Sequence, residues 1–271
     1  MGEMGVTPPR LRPDEYDSFF SVYEHISPLL ISDYDGTLAP FRTEREDAVP
    51  EPHTQALLGS ISDAGGDIVI LSGRTSEEVL GLISIPVEVW GCHGMEWLSR
   101  DGVLKRLNVP PDAVAKMEDF SEIFNVFPER SVEKKPSGVA IHWRKDRKTA
   151  DLYRKHSDRI IHAAADAGLR ILPFDEGIEF MLSYFSKGSA LKKICSDHPA
   201  SSPVCYLGDD LTDEDAFSAA QERTGGVGKL VFDKIRESAA DVCIHSSERN
   251  TFLEFWLHQM VSKKGERKHE R

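Results

Sequence analysis

Leu29-Leu-Ile-Ser-Asp33-Tyr-Asp35-Gly36-Thr37-Leu-Ala-Pro40 is the stretch on which the fold turns. Its opening residues are apolar without alternation, the pattern of a strand covered on both faces in a parallel sheet. Such a strand delivers two carboxylates, two residues apart and so on one side of the chain, to its carboxyl end, where open α/β sheets bind ligands. Asp33 can then attack as a nucleophile and form an aspartyl phosphate, while Asp35 gives and takes protons. Gly36 lets the chain turn sharply, and Thr37 can bond a phosphate oxygen. Two like charges this close repel unless a cation lies between them, so the motif implies Mg2+ with oxygen ligands. An ordinary Asp-Gly-Thr turn is one alternative. A calcium loop is another, but Gly36 falls at its fourth position rather than its sixth and Thr37 replaces a carboxylate.

Outward from this stretch, continuous apolar runs at 68–72, 87–91 and 204–208 read as further buried strands, and 54–64 and 76–83 read as helices between them. The β-α-β alternation predicts an α/β fold, a doubly wound, Rossmann-like parallel sheet. Thr75-Ser-Glu-Glu78 has capping-box spacing, so a helix should begin just after Ser72-Gly73-Arg74. There a hydroxyl and backbone N–H groups can hold phosphate. Lys187, in Ser186-Lys187-Gly188, opens another helix and can neutralise both the nucleophile and a phosphoryl group. Asp209, Asp210 and Asp213 follow the 204–208 strand, where a tight Gly-Asp-Asp turn suits a metal ligand and acidic residues also serve as helix caps.

The rhythm changes after Glu96. Asp101-Gly102 reads as a hairpin turn, 110–127 and 150–167 as helices, and 138–143, 169–172 and 178–182 as strands. This predicts an inserted α+β lid at 106–182 between two parts of one core, 1–105 and 183–271. The charged, Gly-broken end at 263–271 reads as unstructured.

Composition bounds the partners. The chain has 271 residues, 40% of them hydrophobic, and 45 acidic against 33 basic side chains give a net charge of -12. That balance opposes binding to nucleic acid or to an anionic membrane. No run reaches the ~20 apolar residues of a membrane span, and the opening segment lacks the apolar core of a signal peptide, so a cytoplasmic protein is expected. The four cysteines form no Cys-x-x-Cys pair and read as reduced, structural residues.

The order DxDGT, Ser, Lys, GDD-x-x-D resembles the haloacid dehalogenase (HAD) phosphatase superfamily over nearly the whole chain. The resemblance implies Asp33 as nucleophile and Asp35 as acid/base, the latter also giving its backbone carbonyl to Mg2+. It implies Ser72 and Lys187 as phosphate binders, with Thr37, Gly73 and Arg74 beside them. Asp209 becomes the metal ligand, Asp213 holds Lys187 or a metal-bound water, and Asp210 is a further metal candidate. The inserted unit matches that superfamily's larger, C2-type cap.

Gly91-Cys-His93-Gly94-Met-Glu96 and Val132-Glu133-Lys134-Lys135-Pro-Ser-Gly-Val-Ala-Ile-His142-Trp143-Arg144 are similar to the trehalose-6-phosphate phosphatase branch. The branch implies sugar contacts from Glu133, Lys135 and Glu179, with His93, His142 and Arg144 as further candidates. It also implies a Mg2+-dependent phosphatase acting on a small sugar phosphate. Met181-Leu182 departs from the branch's usual Arg-Pro after the lid Glu, which keeps mannosyl- or glucosyl-phosphoglycerate and sucrose phosphate open as substrates. A phosphomutase and a non-catalytic sugar-phosphate sensor are the remaining alternatives, although a sensor would be expected to have lost Asp33 or Asp35.

Overall fold

Burial without alternation does produce the central strands. In chain order the strands are Leu29–Ser32 (β1), Ile68–Leu71 (β2), Glu88–Gly91 (β3), Glu96–Leu98 (β4), Leu104–Arg106 (β5), Val132–Lys135 (β6), Gly138–His142 (β7), Leu169–Phe174 (β8), Gly177–Leu182 (β9), Val204–Gly208 (β10), Val227–Phe232 (β11) and Val242–His245 (β12). The helices are Tyr16–Ser21 (α1), Pro52–Asp63 (α2), Ser76–Leu82 (α3), Pro111–Ser121 (α4), Arg147–Asp166 (α5), Lys187–Ser196 (α6), Glu214–Gln221 (α7) and Arg249–His269 (α8). The structure, a computed structural model, describes residues 6–21, 23, 28–42, 44–144, 146–174, 176–199 and 202–269. Two units separate by their internal contacts: Met1–Lys105 with Ser186–Arg271, and Arg106–Phe185.

The first unit is built on a sheet of order β12-β11-β10-β1-β2-β3-β4-β5. It is parallel from β12 to β3, and β4 then runs antiparallel to β3 before the Asp101-Gly102 turn leads into β5. β1 lies between β10 and β2, so the connections on its two sides diverge and leave a crevice at its carboxyl end. Successive strand residues alternate between the two faces. Leu30, Ile70, Leu207 and Val231 pack against α1, α2 and α8 through Phe20, Leu58, Phe252 and Trp256. Ile31, Val69, Tyr206 and Leu230 pack against α6 and α7 through Leu191, Ile194, Phe217 and Ala220. Each buried Leu or Ile contributes about 1.5–3 kcal/mol. That double covering fixes the strand ends, and with them the site.

One residue breaks the apolar pattern. Lys229 of β11 is wholly buried, and its Nζ lies 4.0 Å from the Phe19 ring and 4.3 Å from the Phe252 ring with no hydrogen-bond partner.

In the second unit the sheet order is β6-β7-β9-β8, every pair antiparallel. Val139, Ile141, Ile178 and Phe180 share its apolar face, where Phe180 meets Phe120 and Phe124. The sequence predicted one helix over 110–127; instead α4 ends at Ser121 and a 3-10 segment, Glu122–Val126, follows. The Ser121 hydroxyl donates to the Met117 carbonyl at 2.8 Å, a back-bond that competes with the helix ladder, while the tighter turns still bury Phe124. The structureless end expected from residue 263 is also corrected, since α8 continues to His269; residues 270–271 lie outside the described residues.

Among the described residues no helix is long and apolar enough to cross a membrane, and all four cysteines are free and buried.

Candidate active site

The carboxyl ends of β1, β2 and β10 carry the site of the first unit. Asp33 follows β1 directly and its N–H donates to the Leu207 carbonyl at 2.8 Å, so the sheet's own ladder places the residue. The chain then reverses: Gly36 has φ +81, and a Cβ there would lie 2.2 Å from Asp209 Oδ2. Only glycine fits that approach of the two acidic loops. The Thr37 hydroxyl donates to Asp209 Oδ1 at 3.2 Å, and the buried Arg249 guanidinium donates to the Thr37 carbonyl at 3.2 Å from behind.

Lys187, the first residue of α6, is 3% exposed. The N-cap Ser186 accepts from Ser189 N–H, and the apolar stripe Ala190, Leu191, Ile194 holds the helix to the sheet. The Lys187 ammonium donates to Asp33 Oδ1 and to Asp213 Oδ1, each at 2.7 Å. Asp213 also accepts the Tyr206 hydroxyl and, on Oδ2, the N–H groups of Asp209 and Asp210 at 2.9 and 3.1 Å.

Carboxylate oxygens of Asp33, Asp209 and Asp213 lie within 4.8 Å of one another. Burial raises the pKa of Asp33 to about 8 even with Lys187 beside it, and burial together with the Asp33 and Asp213 charges raises Asp209 well above the carboxylate range. Burial works against the Lys187 charge too, but Asp213 and Asp33 outweigh it and push its pKa up. Ionised together, the three carboxylates would carry more buried negative charge than one ammonium balances, which is why burial and mutual repulsion push them toward the neutral form in the absence of a further cation. Hard oxygen donors in excess over cations suit a small divalent ion, so the residues fit Mg2+.

Other residues singled out from the sequence stand differently. Arg74 grips Asp35 through two bonds, Nε to Oδ2 at 2.7 Å and Nη2 to Oδ1 at 2.6 Å, and Nη1 donates to the Arg45 carbonyl at 3.0 Å. Its guanidinium thus orients Asp35. Ser72 Oγ accepts the Arg74 N–H at 3.1 Å, and the Thr75–Glu78 capping box that starts α3 is present as the spacing predicted. His93 is buried at φ +54, its N–H on the Ser72 carbonyl; a Cβ on Gly73 would come within 2.8 Å of its Nε2, so the imidazole covers the Ser72–Arg74 loop. Asp210 turns away, Oδ1 accepting the N–H and hydroxyl of Thr212 at 2.8 and 2.6 Å, and is outside the carboxylate group.

In the second unit, Glu133, Ala140, Glu179 and Leu172 stand in one row across the sheet, and Lys135, Gly138, Met181 and Arg170 in the next. With small residues on β7 between them, Lys135 Nζ reaches Glu179 at 3.1 Å and Glu133 at 3.8 Å, and Glu133 bonds His142 Nε2 at 2.8 Å. Arg144 pairs with Glu176 at 3.6 Å. Met181 lies on this polar face, and directly opposite it stands Arg170, whose Nη1 donates to the Phe185 carbonyl at 2.9 Å. Arg170, Tyr206, Arg236 and Arg249 carry no motif and went unread in the sequence. For Arg170, the period-2 pairing of β8 with β9 was the one available signal.

The family model for trehalose-phosphatase matches residues 31–246. A trehalose-phosphate phosphatase of Mycobacterium marinum is 30% identical over 203 residues, 71% of this chain and 51% of that protein. The chain spans about half the length of the curated relatives it matches. The C-terminal domain of C. albicans trehalose-6-phosphate phosphatase superposes with a TM-score of 0.77 at 21% identity, covering 94% of this chain and 99% of that domain. A HAD-superfamily phosphatase of Bacteroides thetaiotaomicron superposes with a TM-score of 0.58 at 17% identity, over 88% of this chain and 96% of that one, and shares the fold. With the family model spanning both acidic loops and Lys187, the chain belongs to the trehalose-phosphatase family.

Proposed function

We propose that this protein is a Mg2+-dependent phosphatase that hydrolyses trehalose 6-phosphate through an aspartyl phosphate on Asp33. The observation that carries the proposal is the buried Asp33–Lys187–Asp213 chain, 2.7 Å at each link, grouped with Asp209 at the end of β1. Asp33 Oδ attacks phosphorus in line and the bond to the sugar oxygen breaks, that oxygen taking a proton from Asp35. Asp35 then takes a proton from water, whose oxygen attacks phosphorus, releasing inorganic phosphate and restoring the Asp33 carboxylate. Lys187 holds Asp33 in position and offsets charge on the transferring group, and Asp213 keeps Lys187 there. Ser72 and the Gly73 backbone bind phosphate oxygens, and Arg74 fixes the direction of Asp35. Asp33, Asp209 and the Asp35 carbonyl would hold Mg2+, which when bound would supply charge neutralisation for the phosphoryl group.

The polar face of the inserted unit, Glu133, Lys135, Glu179 and His142, bonds the hydroxyls of the distal glucose. A wrong sugar leaves buried polar groups unpaired, which is a strong discriminator. A phosphorylated metabolite as substrate goes with a cytoplasmic setting.

Phosphate release from purified protein tests the proposal, with trehalose 6-phosphate, sucrose phosphate, mannosyl- and glucosyl-phosphoglycerate as substrates, before and after chelation. Trehalose 6-phosphate should give the highest kcat/KM, and chelation should abolish turnover until Mg2+ is restored. A higher value on another sugar would overturn the substrate, and full activity after exhaustive chelation would overturn the metal.

A further inference from the structure

We propose that Arg236 is the positioning residue of the metal-binding loop. Its guanidinium clamps the carbonyls of Asp209 and Asp210, the two peptides that follow the Asp209 side chain, and so sets where that carboxylate points.

Arg236 lies in the segment after β11, remote in sequence from every motif. Nε and Nη2 donate to the Asp209 carbonyl at 3.3 and 3.2 Å, and Nη2 also to the Asp210 carbonyl at 2.7 Å. Nη1 donates to Glu214 Oε1 and to the Glu237 carbonyl, the latter at 2.9 Å. Glu214 is itself anchored, accepting the Ser238 hydroxyl at 2.9 Å and the Ala239 N–H at 2.6 Å. A planar fork with fixed donor directions is thus held at one end by a turn and applied at the other to the loop.

The N–H groups of the same two residues, Asp209 and Asp210, point to Asp213 Oδ2 at 2.9 and 3.1 Å. The peptide between Asp209 and Asp210 is therefore held at its N–H by Asp213 and at its carbonyl by Arg236, while Asp213 also takes the N–H of the peptide before it and Arg236 the carbonyl of the peptide after it. With its backbone fixed from both sides, the Asp209 carboxylate has little freedom beyond its side-chain torsions, and Thr37 takes up Oδ1. Removing the fork leaves two loop carbonyls to find water, and the peptide plane between Asp209 and Asp210, which helps aim the Asp209 side chain, is free to tilt. Outer groups that orient a metal ligand typically account for ~10- to 100-fold in metal affinity.

The inference rests on the reading of Asp209 as a metal ligand, and its test separates the two. Mn2+ binding is measured directly, by the loss of the free-ion paramagnetic resonance signal, on wild type, Asp209→Asn, Arg236→Met and Arg236→Lys, with unfolding midpoints recorded in excess chelator. Arg236→Met should weaken Mn2+ binding ~10-fold or more. Arg236→Lys, which keeps the charge but cannot span both carbonyls and Glu214, should weaken it by at least ~3-fold, and it alone decides if the Met variant does not fold. At saturating Mg2+, kcat of the Lys variant should return to within about threefold of wild type, because an orienting residue alters metal occupancy more than the chemical step. Wild-type Mn2+ affinity in the folded Arg236 variants, with only the midpoint lowered, would overturn the inference and leave Arg236 a structural residue. Wild-type affinity in Asp209→Asn would overturn the metal reading, and the inference with it.

Discussion

Replacing Lys229 by Met removes a charge from the core while nearly keeping the side chain's length and shape. Burial drives the Lys229 pKa from 10.5 to about 8, against smaller upward pulls from Cys205, Cys243 and Asp241. The gap between 10.5 and about 8 corresponds to about 3 kcal/mol of penalty on the charged form. The two ring faces, at 4.0 and 4.3 Å, return about 1 kcal/mol of that. Met recovers none of the ring attraction but carries no charge, so Lys229→Met should be more stable by about 2 kcal/mol near neutral pH. The sign with pH follows from linkage. A lysine depressed in the folded state carries its full penalty below about pH 8, and the penalty fades as pH rises toward 10.5, because the folded protein gives up its proton before the unfolded chain does. Between about pH 7 and about pH 9.5 the penalty shrinks by about 2 kcal/mol. Cys205, raised to about 11 by burial, stays neutral across that window. Urea unfolding of both proteins at the two pH values measures this: the advantage of the Met variant should be about 2 kcal/mol near pH 7 and close to zero near pH 9.5. A Met variant less stable than wild type near pH 7, or a difference that does not change with pH, would refute the reasoning.

Asp33→Asn keeps the shape and the Leu207 backbone bond but removes the attacking charge, so turnover should vanish with the unfolding midpoint little changed. Retention of more than roughly a tenth of wild-type kcat, a barrier change of only ~1.4 kcal/mol, would rule out covalent catalysis by Asp33. Replacing Glu133, Lys135 or Glu179 by Ala should cut kcat/KM for trehalose 6-phosphate ~10- to 100-fold and leave hydrolysis of a small aryl phosphate unchanged, since that substrate has no second sugar. Equal losses on both substrates would make these residues supports of the fold, and no loss on either would leave the sugar specificity unassigned.

Much of the fold was legible because parallel strands buried on both faces admit few polar residues: β1, β2 and β10 stand out as apolar runs, and the capping box marks where α3 begins. The candidate site residues were legible as candidates for a related reason, since Asp33, Ser72 and Asp209 lie at the ends of those runs, where the sheet's direction places them. The break in α4 and the helical end of α8 were not, because local composition does not report which back-bond or packing partner prevails.

What the sequence by itself determined was therefore the order of strands and helices and the identity of the acidic and basic groups at their ends. Only the tertiary structure decided what each group faces. Arg74 is spent on Asp35, Asp210 on Thr212, and Thr37 on Asp209, although position alone made all three candidates for phosphate or metal. Arg249 reaches Thr37 across 212 residues and Arg236 reaches Asp209 across 27, separations at which no local spacing constrains the pair. The physical reason is the range of the signal. Periodicity and capping act within a few turns of the chain, whereas the partner of a charge is set by which strands pair and in what register, a property of the assembled sheet.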